Sequence, residues 1–259
     1  MRIGLGLEYE GAEFNGWQSQ RGARTVQDTL ETALSKVADH PIKVICGGRT
    51  DAGVHAVGQV VHFDTQALRR MRSWVLGANA NLPRDIAVTW AQPVAEDFHA
   101  RFSAISRRYR YVILNRWVRP AVLRAKVTWQ HRLLDENRMR QAAAHLVGEH
   151  DFTTFRALAC QAKSPVRTVH ELNVTREHDY VYIDIHANAF LYHMVRNIAG
   201  VLMTIGAGER PVSWAAELLR LRDRVRGGIT APPDGLYLVH IAYAQCFALS
   251  DEFIPPRYC

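Results

Sequence analysis

Val169-His-Glu-Leu-Asn-Val-Thr-Arg-Glu-His-Asp-Tyr-Val-Tyr-Ile-Asp-Ile-His186 decides the fold. It reads as two strands, Val169–Arg176 and Tyr180–His186, on either side of a His178-Asp179 hairpin turn. Working outward, a strand over Arg108–Leu114 and a helix over about Glu136–Val147 precede the hairpin. A long helix from Phe190 and a strand over Leu236–Ala244 follow it, with an additional helix near Trp214–Leu221. The order is β-α-β-β-α-β, and the first half of the chain repeats it. Ile3, Leu5 and Leu7 alternate in a strand over Arg2–Glu8. Thr25-Val-Gln-Asp28 reads as a capping box for a helix carried by Val26, Leu30, Ala33, Leu34 and Val37. Strands over Ile42–Cys46 and Val57–Phe63, a helix over Leu68–Ala78 and a strand over Ile86–Val94 complete the series. The expected class is α+β: two ferredoxin-like (split β-α-β) halves whose antiparallel sheets join, with helices on the back and a cleft between the halves. The expected division is an N-terminal domain 1–103, a C-terminal domain 104–247 and a tail 248–259.

The composition narrows the function. The chain has 259 residues, 48% hydrophobic and 22% charged, which is ordinary globular usage and excludes collagen, coiled coil or wholesale disorder. The N-terminus reaches Glu8 and Glu10 too soon for a secretory apolar region. The most apolar stretch, Phe190–Ile205, carries His193, Arg196 and Asn197, so it reads as a buried helix rather than a membrane span. A soluble, cytoplasmic protein with no membrane partner is expected. Cys46, Cys160, Cys246 and Cys259 form no CxxC pair, and His145 with Glu149-His150 misses the helical metalloprotease spacing by one residue. No metal site is expected. Lys plus Arg number 32 against 25 Asp plus Glu, a net charge of +7, with a pI near 9.5. Most of these cations are Arg, whose planar fork suits phosphates, so nucleic acid is the first partner to consider.

Three clusters carry candidate chemistry. Gly47-Gly-Arg-Thr-Asp-Ala-Gly-Val-His55 is too long and too rich in functional groups for a two-residue hairpin. In extended backbone Arg49 and Asp51 point to one side, so the Arg can pair with the carboxylate and keep it ionised, as a nucleophile requires. The same residues also fit a turn in which Asp51 caps backbone amides and Arg49 is solvated. In Arg107-Arg-Tyr-Arg-Tyr111, Arg107, Tyr109 and Tyr111 share one strand face, and Arg108 and Arg110 share the other. That pattern fits either a base-stacking platform with phosphate-neutralising cations or core tyrosines with snorkelling arginines. From Phe190 onward, His193, Arg196, Asn197 and Gly200 form a narrow polar stripe on an otherwise apolar helix. Arg196 there must meet a carboxylate or a water-filled cleft.

Gly48–His55, Phe14-Asn-Gly-Trp-Gln18, Arg107–Tyr111, Phe190–Asn197 and Gly235-Leu-Tyr-Leu238 together resemble the tRNA pseudouridine synthase A family of bacteria. The likeness runs in order from Leu5 to about Ala244. It implies a cofactor-free cytoplasmic homodimer that isomerises uridines 38 to 40 in the anticodon arm of tRNA. It also implies roles for single residues. Asp51 falls on the nucleophile and Arg49 on its paired cation, Tyr109 on the tyrosine that stacks on the target base, Arg196 on a cleft arginine and Leu236 on a pocket-lining apolar residue. His193, in the same matched run as Arg196, is placed with the substrate-binding residues. Asp234 stands where the family pattern has Glu. One carboxylate serves three routes: attack at C1′, attack at C6, or removal of the 2′ proton to give a glycal. Two other classes compete with this reading. One is a non-catalytic RNA-binding relative of the same fold, and the other is a hydrolase pairing Asp51 with His55 or His62.

Overall fold

The computed structural model describes residues 1–250 and 252–258, so Asp251 and Cys259, a thiol whose role the sequence leaves open, lie outside the described residues. In chain order the elements begin with β1 (Arg2–Tyr9), α1 (Val26–Ala38), β2 (Ile45–Cys46), β3 (His55–Asp64), α2 (Met71–Asn81) and β4 (Ile86–Val94). They continue with β5 (Ala104–Asn115), β6 (Thr128–Gln130), α3 (Glu136–Ala144), β7 (Gly148–Asp151), β8 (Val166–Glu177) and β9 (Tyr180–Ala187). Helices α4 (Met194–Gly206) and α5 (Trp214–Leu221) and strand β10 (Leu236–Tyr243) close the series. The architecture is mixed α+β. Two compact units divide it: Met1–Ile105 with Tyr237–Pro256, and Ser106–Leu236 with the last residues.

In the first unit β1 lies between β3 and β4, antiparallel to both. Its residues Ile3–Leu7 are buried without a break, as a central strand requires. One edge of β3 is shared: β2 pairs with it at Val61 and His62, and β10 pairs in parallel at His55 and Ala56. This pairing is why Tyr237–Pro256 group with the N-terminal residues. Thr25 caps α1 as the capping pattern expects, its hydroxyl accepting from the Asp28 amide at 3.2 Å. Strand β2 is shorter than the apolar run 42–46. The Ile42 amide donates to the Ser35 hydroxyl and the Val44 amide to the Glu31 carboxylate, so α1 side chains take the donors a ladder would need.

In the second unit β9 lies between β5 and β8, antiparallel to both, and β7 and β6 extend the edges. The hairpin between β8 and β9 turns at His178-Asp179, with His178 at φ +52°. Helix α3 packs on α4 and on β8. Helix α4 starts at Met194, four residues later than the apolar pattern suggests. The reason is His193, whose φ of +61° is left-handed and cannot continue an α-helix backward. The first amides of α2 and α4 receive no side-chain cap.

Candidate active site

The Asp51 loop joins β2 to β3, and two segments brace it. Gln59 is fully buried and clamps Gly48 twice: its amide nitrogen donates to the Gly48 carbonyl at 2.5 Å, and its amide oxygen accepts from the Gly48 amide at 3.2 Å. The second segment is Phe14–Gln18. The Trp17 amide donates to the Thr50 carbonyl at 3.0 Å, and the Gly53 amide donates to the Phe14 carbonyl at 3.3 Å. The Thr50 hydroxyl meets the Tyr9 hydroxyl at 2.8 Å in the interior. The Val54 amide then closes a turn onto the Asp51 carbonyl at 3.1 Å. Asp51 thus sits half-exposed between two tethered neighbours, Thr50 and Gly53, while Arg49 is exposed. A residue flanked by positions tethered in this way is held in place through the main chain of its loop.

Gly16 makes this brace possible. Its φ is +85°, and a Cβ there would lie 2.8 Å from the Thr50 carbonyl oxygen and 3.0 Å from the Asp51 carbonyl carbon. Gly16→Ala adds about 1–2 kcal/mol of left-handed strain and pushes directly on the Asp51 peptide. Its expected effect is a roughly hundredfold fall in kcat with tRNA affinity nearly unchanged, since displacements near 1 Å cost that much. Single-turnover kinetics beside a binding titration checks it. An equal loss in Kd would show that the brace serves binding instead.

The two histidines considered for a hydrolytic pair are both engaged by backbone. His55 Nδ1 accepts from the Gly11 amide at 3.0 Å, and its ring stacks on Tyr237 at 4.6 Å. His62 Nδ1 accepts from the Ala100 amide at 3.1 Å. Burial first, then the charge of Arg2 and the coulombic effect of the neighbouring His99, lowers the His62 pKa to about 4, against the weaker opposite pull of Asp64. The unfolded chain therefore takes up this proton near pH 6.5 while the folded one refuses it until about 4. The His62 contribution is complete above pH 6.5 and is lost on acidification toward 4. Melting temperatures between pH 7 and 4 should fall more steeply for the wild type than for His62→Gln. Parallel curves would remove His62 as the cause.

On β5 the five motif residues have different employments. Arg110 is buried and forms a two-pronged pair with Asp184 of β9, Nε to Oδ1 at 2.7 Å and the second nitrogen to Oδ2 at 2.8 Å. Its guanidinium also lies 4.8 Å over the Tyr182 ring. Arg108 pairs with Glu171 of β8 at 2.8 Å. Tyr111 is fully buried, its hydroxyl donating to the Pro232 carbonyl at 2.8 Å and meeting the Thr128 hydroxyl at 2.6 Å. Burial pushes its pKa above the usual phenol range. The cluster is therefore no uniform stacking platform. Arg107 donates to the Asn188 carbonyl at 3.1 Å, and Tyr109, 8% exposed, meets Phe190 edge-on at 5.0 Å.

The polar stripe of α4 docks the segment before β10. Arg196 Nε donates to the Ala231 carbonyl at 2.8 Å, and the Ala231 amide returns a bond to the Arg196 carbonyl at 3.1 Å. Buried Asn197 bonds the Phe155 carbonyl and accepts from Thr230 and Arg224. Gly200 admits this segment, since a Cβ would lie 1.8 Å from the Ile229 carbonyl oxygen. The charges of Arg196 and Asp234 both act on the Tyr111 hydroxyl. His193 precedes the helix instead of lying on its stripe and rests against Tyr192, ring centres 4.0 Å apart. Leu236, at the start of β10, is buried at 4% exposure. Tyr109, Arg196, His193 and Leu236 belong to the second unit, and Asp51 and Arg49 to the first. Gln59 is a site residue that sequence reasoning does not find, because nothing local marks a glutamine as the clamp of a loop eleven residues away.

Asp51 thus stands in a braced loop before β3, and the Arg- and Tyr-rich motif stands on β5; comparison with known proteins supplies the family. The family model described as tRNA pseudouridine synthase matches residues 7–103 and 142–244. The chain belongs to the tRNA pseudouridine synthase family, and it isomerises uridine to pseudouridine in tRNA. Relatives named tRNA pseudouridine synthase A come from Nitrosococcus oceani, 64% identical over 96% of both chains, and from Alcanivorax borkumensis, 59% identical over 99% of this chain and 97% of the other. Another, from Pseudomonas aeruginosa, is 59% identical over 99% of this chain and 90% of that one.

Proposed function

We propose that the substrate uridines are those at positions 38 to 40 of the anticodon arm and that Asp51 is the nucleophile. The reaction breaks the N1–C1′ bond and joins C5 to C1′; C5 loses its proton and N1 gains one. It consumes no donor and no oxidant, so one carboxylate is enough, and the reading invokes no cofactor and no metal. The observation that carries the assignment is the bracing of Asp51 between tethered neighbours, with its side chain half-exposed. In this reading a target base leaves its stack at a cost of about a few kcal/mol. Arg49 holds the opened RNA and orients Asp51, Tyr109 sandwiches the uracil, and Arg196, His193 and Leu236 complete the pocket.

The same reading places the loop in a domain 1–103 and the base-contacting strand and helix in a domain 104–247. Both are split β-α-β halves whose sheets join around a cleft, with a tail at 248–259. The strand order β4, β1, β3 with β2 beside β3 supports it for the first half. The net charge of +7 supports RNA binding that weakens with salt. A homodimer in the cytoplasm completes the proposal. No helix among the described residues is long and apolar enough to cross a membrane.

Position is tested on unmodified tRNAs carrying uridine singly at 38, 39 or 40, with pseudouridine located by carbodiimide treatment and primer extension. Product is expected at each of the three. Product only outside the anticodon arm would overturn the positional assignment.

A further inference from the structure

The connection that leaves β5 and returns to its edge as β6 has an unusual surface. From Arg116 to Leu134 the sequence holds five cations and no carboxylate. Within it Trp117 is 83% exposed and Trp129 is 41% exposed, although tryptophan is a residue that water disfavours. These rings are not presented by a slack loop. Buried Asn115 ties the base of the connection: its side-chain amide donates to the Gln130 and Arg132 carbonyls at 2.9 and 2.6 Å, and its oxygen accepts from the Leu134 amide at 3.0 Å. The Trp129 indole donates to the Arg116 carbonyl at 2.9 Å, which fixes that ring beside the peptide preceding Trp117. With its N–H already bonded, Trp129 offers a partner only its ring.

The cations complete the pattern. Arg132 pairs with Glu209, and Arg116 lies 4.0 Å from Asp179. Arg119 and Arg124 are exposed and meet no carboxylate among the described residues. Two exposed indoles beside uncompensated guanidiniums form a surface for stacking and phosphate neutralisation at once.

We propose that this connection is a docking surface for tRNA, touching bases or sugar-phosphate away from the uridine being isomerised. Charge selects the occupant. A second copy of the chain carries the same net charge of +7 and so brings cations toward cations. An RNA backbone supplies the missing negative charge. The proposal rests on the established tRNA isomerisation and is independent of which residue is the nucleophile.

The test measures binding of an unmodified tRNA transcript to the intact enzyme across a salt series, with the molar mass of each variant in solution. Trp117→Ala is expected to raise Kd about tenfold and Trp117→Phe to restore it, since a ring of either kind stacks. Arg119→Gln with Arg124→Gln is expected to lower the salt slope of log K by up to about two, one for each phosphate that a guanidinium no longer neutralises. Unchanged Kd and slope would overturn the proposal. A fall in molar mass in either variant would overturn it in favour of an interface between copies. Failure of the Asp51 assignment would show separately, as turnover that survives Asp51→Ala.

Discussion

Asp51→Ala is expected to lose at least roughly ten-thousandfold in release of tritium from C5-labelled uridine in tRNA, while tRNA binding persists. Forming the C5–C1′ bond must expel that hydrogen, so the assay reads the isomerisation itself. The magnitude follows from the role: a group that makes or breaks a bond to substrate has no substitute nearby. The persistence of binding follows from the structure. The loop is held through Gly48, Thr50 and Gly53, and none of those bonds involves the Asp51 side chain. The atoms that make those bonds are all still present in Asp51→Ala. Equal release by the variant and the wild type would make Asp51 a structural residue and overturn its assignment as nucleophile, while the release itself would still report the isomerisation.

Arg110→Ala is expected to cost stability, not chemistry. Its guanidinium is 9% exposed and its partner Asp184 34%. Removing one partner of an ion pair costs about 3–5 kcal/mol when both partners are dry. The partial exposure of Asp184 lowers this to about 2–3 kcal/mol, or about 5–10 °C in melting temperature for a chain of this size. Arg108→Ala is the matched comparison, because its pair with Glu171 is open to water at 31% and 51%. About 0–1 kcal/mol is expected there. Thermal melts of the two variants separate the cases. If Arg110→Ala melted with the wild type but bound tRNA with a shallower salt slope, the buried-pair account would be wrong and Arg110 would be a phosphate ligand.

The two arginines also mark where sequence stops being informative. The alternation of Ile3, Leu5 and Leu7, the cap at Thr25 and the turn at His178-Asp179 are local signals, and the elements form where those signals lie. The partners of Arg108 and Arg110 are not local. Glu171 and Asp184 stand on other strands, and only the register of β5 against β9, with β8 beside it, brings them opposite. The start of α4 falls later than apolar periodicity predicts because that periodicity is blind to a left-handed residue such as His193. The shortness of β2 is hidden because side chains of α1 compete for its amides. Phe14–Gln18 can be recognised as a motif but not understood as one. Its bonds are made by main-chain atoms of Phe14 and Trp17, and Gly16 is the one residue type that the close approach to Thr50 requires.

The parallel pairing of Tyr237 and Leu238 with His55 and Ala56 has a consequence for how the enzyme comes into being. Strand β3, which follows the Asp51 loop, is flanked by β10, a strand made about 180 residues later, from His55 to Tyr237. At ordinary elongation speeds, roughly ten to forty seconds separate the two. Throughout that interval His55, at the end of the loop, lacks the Tyr237 ring on which it stacks. The nascent chain thus carries the Asp51 loop beside an open edge of β3, and that edge closes only when residues 237–238 emerge.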